Sequence, residues 1–306
     1  MSGTLAASAR SDTGAIRAVN EDSFIARAPV FLVADGMGGH ARGDKASQEA
    51  VRVFDERIPA GSSPTPDDVL DAVAASNSAV RALSAVDDSG AAVAGTTLTG
   101  VILVGGGETD VQHWMIVNVG DSRVYDWDGR TLTQLSVDHS AVQEMLDAGV
   151  ISEEEAATHP ERNVITRAIG ADASVDVDVW LLPASGNQTF LICSDGLCKE
   201  LTDEQIAELL AGGGAGGGGT GDGSTDDGGD SKQSMADVLV EAAVAAGGRD
   251  NVTVIVVESQ LGDSGNNPDA TVDRATGRSV LLEDTRPRRD RPAAVAPAAS
   301  APERGD

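Results

Sequence analysis

Short apolar runs separated by polar breaks predict the strands of this chain. Each run is rich in β-branched or aromatic residues and is bounded by Gly, Asp or Pro, a composition typical of buried strands. The predicted strands are residues 31–34, 97–104, 114–119, 124–127, 175–182, 190–193 and 251–257. The third and fourth of these runs lie on either side of Gly120-Asp121, which indicates a tight turn between two strands.

Helix-start signals separate these strands. Thr65 before Pro66 predicts a helix that extends to about residue 83, because proline suits the first helical position. Residues 152–155 and 202–205 fit the capping box, in which residues three apart satisfy each other's backbone donors. A further helix is predicted over residues 233–246. Strands in runs, with helices in pairs between them, indicate a sandwich of sheets with helices outside it.

Two segments have compositions that oppose folding. Residues 212–230 are nearly all Gly, Asp, Ser and Thr, and such a segment buries too little apolar surface to offset its ordering entropy. We interpret it as a disordered surface loop, because core-like residues follow it. Residues 261–306 are rich in Pro, Ala, Asp and Arg and predict a flexible tail, whose arginines either dock an acidic partner or are simply solvated. The sequence therefore predicts one folded domain over residues 1–260.

Composition excludes several classes of function. The chain has 306 residues, of which 41% are hydrophobic, so it can bury a core. Its formal net charge of −27 disfavours binding to nucleic acid or anionic membranes, which requires Lys and Arg on phosphates. Cys193 and Cys198 lack the C-x-x-C spacing and are interpreted as small core residues in a reducing compartment. With no signal segment and no apolar run of membrane-spanning length, we expect a cytoplasmic protein.

Five aspartates stand where predicted strands end or turn. Asp35 comes after one apolar run and before Gly36, and Asp195 comes after another and before Gly196. The others lie ahead of the first predicted strand, in the tight turn and before the last strand, and are Asp22, Asp121 and Asp250. Asp-Gly is common in turns, so each aspartate alone has a structural explanation. A carboxylate at the rim of a core nevertheless needs a partner, because unpaired burial is costly.

Oxygen ligands without a cluster of His or Cys favour Mg²⁺ or Mn²⁺ over zinc. These ions keep several waters, so a few carboxylates suffice to bind them. Two such ions about 3.5–4 Å apart can share a water and lower its pKa, which produces hydroxide near neutral pH. Hydroxide is the nucleophile that hydrolysis of a phosphate ester needs.

Six strings resemble, in order, the motifs of the bacterial branch of the metal-dependent (PPM, type 2C) protein phosphatases. No single string is decisive, but together they are specific and extend over about residues 8–259. They are Gly14-x-x-Arg17-x-x-Asn20-Glu21-Asp22, Val33-Ala34-Asp35-Gly36-Met37-Gly38-Gly39-His40, Gly95-Thr96-Thr97, Asn118-Val119-Gly120-Asp121-Ser122-Arg123, Ser194-Asp195-Gly196-Leu197 and Asp250-Asn251-Val252-Thr253. The resemblance implies an α+β fold: a central antiparallel β-sandwich flanked on both sides by paired helices, in four αββα layers, with metals at one end.

The resemblance also implies the ligands of two Mn²⁺ or Mg²⁺ ions. Asp35 is expected to bridge the ions, with Gly36 supplying its carbonyl oxygen. Asp195 and Asp250 are expected to complete the first site, and Asp22 to serve the second through water. A third, weaker site matches Asp121 together with Asp195.

Arg17 matches the arginine that grips the substrate phosphate, and its planar fork suits two phosphate oxygens. A surface salt bridge is the alternative role for this residue. Some family members have a histidine directly after the Asp-Gly pair as general acid, whereas this chain has Met37 there and His40 three residues later. His40 either protonates the leaving oxygen or supports the Gly-rich loop. Without it, a metal-bound water could protonate the leaving group.

Residues 138–170 match the flap region of the bacterial family. Such a segment beside a metal site either selects substrates and gates access or packs without a gating role. We interpret His139 and His159 as structural or flap residues and His113 as a strand residue.

The function implied is that of a protein serine/threonine phosphatase, in which a water bridging two ions attacks phosphoserine or phosphothreonine. Its expected partners are phosphorylated proteins, with Ser/Thr kinases and their substrates, and we expect a monomer that binds neither nucleic acid nor membrane. A binding module without catalysis is disfavoured because positions 35, 195 and 250 all keep Asp. A phosphodiesterase or nuclease is disfavoured by the net charge. A regulator that acts on a single phosphoserine switch protein stays open.

Overall fold

The computed structural model describes residues 3–38, 42–87, 90–92, 94–105, 111–213, 233–262, 270–273 and 278–281. The strands in these ranges are β1 (Thr4–Asp12), β2 (Asp22–Arg27), β3 (Val30–Met37), β4 (Ala85–Asp87), β5 (Gly90–Ala92), β6 (Gly95–Thr96), β7 (Leu98–Val104), β8 (His113–Val119), β9 (Arg123–Trp127), β10 (Leu132–Gln134), β11 (Asp178–Pro183), β12 (Gly186–Cys193), β13 (Val252–Leu261), β14 (Ala270–Asp273) and β15 (Arg278–Leu281). The helices are α1 (Gly43–Arg57), α2 (Pro66–Ala82), α3 (Ala141–Asp147), α4 (Glu153–Thr158), α5 (Asp195–Glu200), α6 (Asp203–Gly213) and α7 (Met235–Ala246).

Two antiparallel sheets form the centre of the molecule. The first has the strand order β1-β13-β12-β9-β10, and the second has the order β11-β8-β7-β3-β2, with β6 paired to β3. Apart from these sheets, β4 pairs with β5 and β14 pairs with β15, both antiparallel. The predicted turn at Gly120-Asp121 joins β8 of the second sheet to β9 of the first, so it links the two sheets at one end.

Apolar side chains fill three interfaces between four layers. Between the sheets, Trp114 packs edge-on against Phe190 with ring centroids 5.4 Å apart. The outer face of the second sheet buries apolar side chains of α1 and α2, and that of the first sheet buries those of α5, α6 and α7. The helices therefore cover both outer faces, and the predicted αββα sandwich is confirmed.

The predicted caps agree with the structure. Thr65 and Asp68 form a reciprocal capping box at the start of α2, with Pro66 at the first helical position. Ser152 forms the predicted box with Glu155 at the start of α4. In the box that precedes α6, the Thr202 backbone N–H donates to Gln205 Oε1 at 2.9 Å.

The first strands differ from the prediction. Asp22 does not precede the first strand: it begins β2, and β1 comes earlier still. β1 lies at the edge of its sheet, so it carries polar residues instead of a continuous apolar run. Helix α1 was not predicted, because its buried face is made largely of small residues such as Ala46, Ser47 and Ala50. The strand predicted at 175–182 begins only at Asp178, and the last strand extends to Leu261.

The two segments with unusual composition lie mostly outside the described residues. Residues 214–232 and 282–306 are not described, so the disordered loop and the flexible tail stay predictions, as does the domain boundary at residue 260. Within the predicted tail, the structure pairs β14 with β15. Of the helices in the described ranges, none combines the length and apolar composition that a bilayer crossing requires.

Candidate active site

Adjacent strands place two of the aspartates side by side. Asp22 on β2 is opposite Asp35 on β3 in the antiparallel register. Asp22 Oδ2 accepts hydrogen bonds from Ser194 Oγ at 2.8 Å and from Thr253 Oγ1 at 2.7 Å. Its Oδ1 is buried and has no hydrogen-bond partner in the described ranges. Burial raises the pKa of Asp22 to about 6, although the two hydroxyls oppose this shift.

A threonine ties Asp35 to the turn that links the sheets. The Asp35 backbone N–H donates to Thr97 Oγ1 at 2.9 Å, and the Thr97 N–H donates back to the Asp35 carbonyl at 2.9 Å. The same Thr97 hydroxyl is 2.8 Å from the Ser122 hydroxyl. Burial, followed by the charges of neighbouring carboxylates, raises the pKa of Asp35 well above its usual range.

Gly36 has no room for a side chain. A Cβ at this position would lie 2.1 Å from the carbonyl oxygen of Gly43 and 2.5 Å from that of Glu21. The Gly36 N–H donates to the Glu21 carbonyl at 3.1 Å, so the backbone runs through a narrow gap beside Asp35. The carbonyl predicted as a metal ligand is therefore held at this point of the site.

Asp195 and Asp250 meet because the start of α5 packs against the segment that enters β13. A Cβ at Gly196 would lie 1.9 Å from the Asn251 carbonyl oxygen, so glycine permits this contact. Burial raises the pKa of Asp195, whereas Lys199 opposes the shift. Burial also acts on Asp250, but the hydrogen bond and charge of Lys199 hold its pKa below its usual range.

Lys199 lies among the aspartates of the candidate site, a position that the sequence analysis did not predict. Its Nζ lies 2.5 Å from Asp195 Oδ2 and 2.8 Å from Asp250 Oδ2. Burial lowers its pKa, but the two aspartates more than compensate and hold that pKa above its usual range. The local signal was the spacing of four between Asp195 and Lys199, which puts an acid and a base on one helix face.

Asp121 lies in the turn between the sheets, where the Gly120 φ of 109° requires glycine. Burial, with the charge of Asp195, raises the pKa of Asp121 to about 7. Its Oδ1 is buried and has no hydrogen-bond partner in the part of the chain that the structure describes.

A buried histidine connects this turn to the flap region. The Gly120 N–H donates to His139 Nδ1 at 3.1 Å, so the ring proton lies on Nε2, which is 3.2 Å from Asp178 Oδ2. Arg167 also binds Asp178, with 2.8 Å between Nη1 and Oδ1. The structure therefore gives His139 a structural role between the Asp121 turn and residues of the flap, a connection that no local pattern indicated.

Arg17 lies beside a predicted metal ligand. Its Nη2 is 2.8 Å from Asp250 Oδ1, and its side chain is 46% exposed, so the guanidinium is reachable from solvent. Asn251 binds the loop that carries Arg17. Its Oδ1 accepts a hydrogen bond from the Glu21 N–H at 2.9 Å, and its Nδ2 donates to the carbonyls of Thr13 and Val19 at 3.0 Å each. Asn251 was part of a recognised string, but its role in positioning this loop was not predicted.

A cleft of about 540 Å³ opens between the aspartates and the flap region. One side is lined by Asp121, Asp195, Asp250 and Lys199. The other side is lined by residues of α3 and α4, including Gln143. The predicted flap thus faces the acidic cluster. His40, the predicted general acid, lies outside the described residues.

The oxygen atoms of this site suit hard divalent cations. Buried, unpartnered oxygens occur on Asp22, Asp121 and Asp195 when only described residues are considered. Such atoms are costly unless an ion or proton satisfies them. Among the described residues, no three His, Cys, Asp or Glu side chains lie close enough together to hold an ion. Instead, Lys199 binds the carboxylates of Asp195 and Asp250, and Arg17 binds that of Asp250. The donors are oxygens of the type that Mn²⁺ and Mg²⁺ bind together with waters, although among the described residues they are not gathered around one point.

A four-layer αββα sandwich with aspartates at its strand ends is the architecture that the resemblance to the metal-dependent protein phosphatases implies. Residues 16–212 match the family model described as Protein phosphatase 2C, and the chain belongs to this family. It is therefore a hydrolase that acts on phosphoproteins, a protein serine/threonine phosphatase.

Two sequence relatives and one solved structure support this assignment. The chain is 34% identical over 273 residues to the serine/threonine phosphatase stp of Listeria welshimeri, which covers 84% of this chain and 97% of the relative. It is 37% identical over 253 residues to the serine/threonine protein phosphatase PstP of Mycobacterium tuberculosis, covering 82% of this chain and 44% of PstP. The crystal structure of the PstP catalytic domain in complex with two manganese ions matches with a TM-score of 0.64 and 34% identity, covering 85% of this chain and 100% of that domain.

Proposed function

We propose that this phosphatase uses two Mn²⁺ or Mg²⁺ ions, held at the aspartate cluster, to hydrolyse phosphoserine and phosphothreonine in proteins. The observation that carries the proposal is the set of buried carboxylate oxygens that the described residues leave unpartnered on Asp22 and Asp195. A protein interior keeps such atoms only where something else satisfies them. The two manganese ions of the related PstP domain support the choice of ion.

Each aspartate has a role in this proposal. Asp35 would be shared by the two ions, with the Gly36 carbonyl as a further ligand beside it. Asp195 and Asp250 would complete the ligands of the first ion, and Asp22 would serve the second ion through water. When bound, the ions supply the positive charge that activates a shared water as nucleophile and stabilises the phosphoryl oxygens. The hydroxyls of Ser194 and Thr253 orient Asp22 by binding its other oxygen.

Arg17 is proposed to bind the phosphate of the substrate. Its guanidinium lies beside Asp250 and 3.9 Å from Glu21 Oε2, and its side chain is about half exposed, so a phosphate that arrives from solvent would reach it. The three hydrogen bonds of Asn251 position the loop that carries it. We assign to His40 the role of donating a proton to the leaving alcohol oxygen, and a water of the site is the alternative donor.

The proposed substrates are phosphorylated proteins, including Ser/Thr kinases and the proteins they phosphorylate. Residues of α3 and α4 line the cleft, so the flap would lie beside a bound phosphoprotein and would select among substrates by its contacts with them. A monomer in the cytoplasm is part of the same proposal.

Hydrolysis of phosphothreonine peptides with and without Mn²⁺ tests the function. We expect turnover to require added Mn²⁺ or Mg²⁺ and to vanish with excess chelator. Asp195→Ala is the matched control, because loss of a ligand should lower turnover by more than the roughly 100-fold that a supporting residue costs. Full activity in excess EDTA would contradict the proposal. A panel of peptides with different flanking sequences would separate a broad phosphatase from a regulator of one switch protein.

A further inference from the structure

Lys199 places a fixed positive charge among the aspartates. It lies one turn after Asp195 on α5, and its ammonium contacts Asp195 Oδ2 at 2.5 Å and Asp250 Oδ2 at 2.8 Å. An exposed pair of residues i and i+4 on a helix is ordinarily a weak surface feature. Here the ammonium instead joins two separate segments of the chain, and its side chain is only 30% exposed. Its position therefore bears on the metal centre.

The two oxygens of Asp195 have different surroundings. Oδ1 is buried and has no hydrogen-bond partner among the residues described, which leaves it free for an ion held with the other aspartates. Oδ2 is taken by Lys199. A third ion shared by Asp121 and Asp195 would need Oδ2 of Asp195, because Oδ1 of Asp195 would serve the two-ion centre. Lys199 and Asp121 also line the same cleft, so the ammonium lies on the side from which such an ion would enter.

We propose that the Lys199 ammonium takes the place of a third divalent cation, so that this chain binds two ions and not three. The ammonium neutralises Asp195 on the side facing the cleft, and it would repel a divalent ion that approached Asp121. Its charge belongs to the chain and does not depend on the metal concentration of the medium. This inference rests on the proposed function, because it takes Asp35, Asp195 and Asp250 to be metal ligands. It also takes the first ion to displace Arg17 from Asp250 Oδ1, while Lys199 keeps Asp250 Oδ2.

Counting bound Mn²⁺ on the full chain tests the inference without an activity assay. Equilibrium dialysis and titration calorimetry should give two ions for the wild type and for Lys199→Arg, which keeps the charge. Lys199→Asp and Lys199→Met should each gain a third ion, bound at least tenfold more tightly than any third ion of the wild type. The gain should disappear when Asp121→Ala is added. Lys45→Met is the matched control, since Lys45 is exposed on α1, and it should bind two ions.

The outcomes separate this inference from the proposed function. Two ions in the wild type and also in both Lys199→Asp and Lys199→Met would overturn the role of Lys199 and leave the two-ion centre intact. Three ions in the wild type would overturn it as well. A wild type that binds no Mn²⁺ and hydrolyses no phosphopeptide would overturn both. Lys199→Met provides a second test in case Lys199→Asp does not fold. Thermal unfolding in EDTA shows whether each variant is folded before the ions are counted.

Discussion

Aspartates of one cluster differ in their electrostatic state because each has different partners. Burial raises the pKa of Asp22 to about 6, although two hydroxyls that bind it oppose the shift. Burial, with the charge of Asp195, raises the pKa of Asp121 to about 7. Asp250 keeps a lowered pKa because Lys199 and Arg17 bind it. Without metal, the cluster therefore holds protons near neutral pH that a divalent ion would displace.

This protonation predicts how the stability of the metal-free protein depends on pH. The folded pKa values of Asp22 and Asp121, about 6 and about 7, lie above the ordinary unfolded value near 3.9. Between the unfolded and folded pKa values, the folded state therefore binds more protons than the unfolded state. Stability should therefore fall as the pH rises from about 4 through 7. Thermal unfolding in EDTA should give a Tm several degrees higher at pH 5 than at pH 8, since about 1 kcal/mol shifts the Tm of such a domain by roughly 2–4 °C.

Two controls accompany this measurement. Asp121→Asn removes one of the titrating groups, so the difference between pH 5 and pH 8 should shrink. Saturating Mn²⁺ should reverse the trend, because ions bind deprotonated carboxylates and bind better at high pH. A Tm in EDTA that is equal or higher at pH 8 would show that these carboxylates are not protonated in the folded protein.

Arg17→Lys tests the phosphate contact. Lysine keeps the charge but lacks the two-pronged geometry that matches phosphate oxygens. A charge-assisted hydrogen bond contributes on the order of 1.5–3 kcal/mol, so a loss of about ten- to hundredfold is expected. If the contact serves ground and transition states equally, the loss should appear in KM for a phosphopeptide, with kcat little changed. Unaltered kinetics would remove Arg17 from the site, and a change only in Mn²⁺ dependence would assign it to the support of Asp250.

At the scale of elements, the site depends on contacts between chain segments that are far apart in sequence. The β2–β3 register sets Asp22 against Asp35. The start of α5 rests on the backbone that enters β13, which brings Asp195 and its lysine to Asp250. The distances among the proposed ligands therefore follow from how closely the backbones of these elements approach.

Gly196→Ala tests this approach. The new Cβ would lie 1.9 Å from the Asn251 carbonyl, so α5 must move away from β13. We expect a loss of about 1–3 kcal/mol, typical of overpacking, together with weaker Mn²⁺ binding. Gly212→Ala is the matched control, because a Cβ there meets no atom within 4 Å among the described residues, and it should stabilise α6 by roughly 0.5–1 kcal/mol. Chemical denaturation and Mn²⁺ titration of both variants measure the contrast. Equal stabilities would show that the α5–β13 contact can relax.

At the scale of the whole molecule, the sandwich collects the site at one end of its sheets. The turn from β8 to β9, the start of α5 after β12 and the entry to β13 all contribute to the cleft. The helices outside the sheets bury the remaining apolar surface and leave this end open. None of the proposed ligands lies in a described segment far from this end.

Deletion of residues 214–232 or of residues 282–306 tests this division of roles. Each stretch is polar or Pro- and Ala-rich and contains none of the proposed ligands, so peptide phosphatase activity should stay within a few-fold of the full chain. The Tm should also stay within a few degrees. In the variant that lacks residues 214–232, a short Gly-Ser linker should connect α6 to α7. Failure of either variant to fold would show that the deleted stretch contributes to the core.

Local signals in the sequence determined much of this picture. Apolar runs, capping boxes and Asp-Gly pairs act over a few residues, so they placed most strands, the starts of α2 and α4, and the aspartates at strand ends. The ordered strings around Asp35, Asp195 and Asp250 indicated the family and the fold. The edge strand β1 and helix α1 were missed, because a partly solvated edge and a small-residue face carry weak apolar patterns.

Only the tertiary structure decided which side chains meet. No local pattern relates Lys199 to Asp250, or His139 to Asp178, because these pairs form only when helices, strands and loops pack. Burial likewise decides the protonation of Asp121, since the same Asp in an open turn would keep its ordinary pKa. The sequence by itself determined which chemical groups are present and at which strand ends they lie. Their charges and partners followed from the fold, because electrostatic interactions depend on distance through space and on exclusion of water.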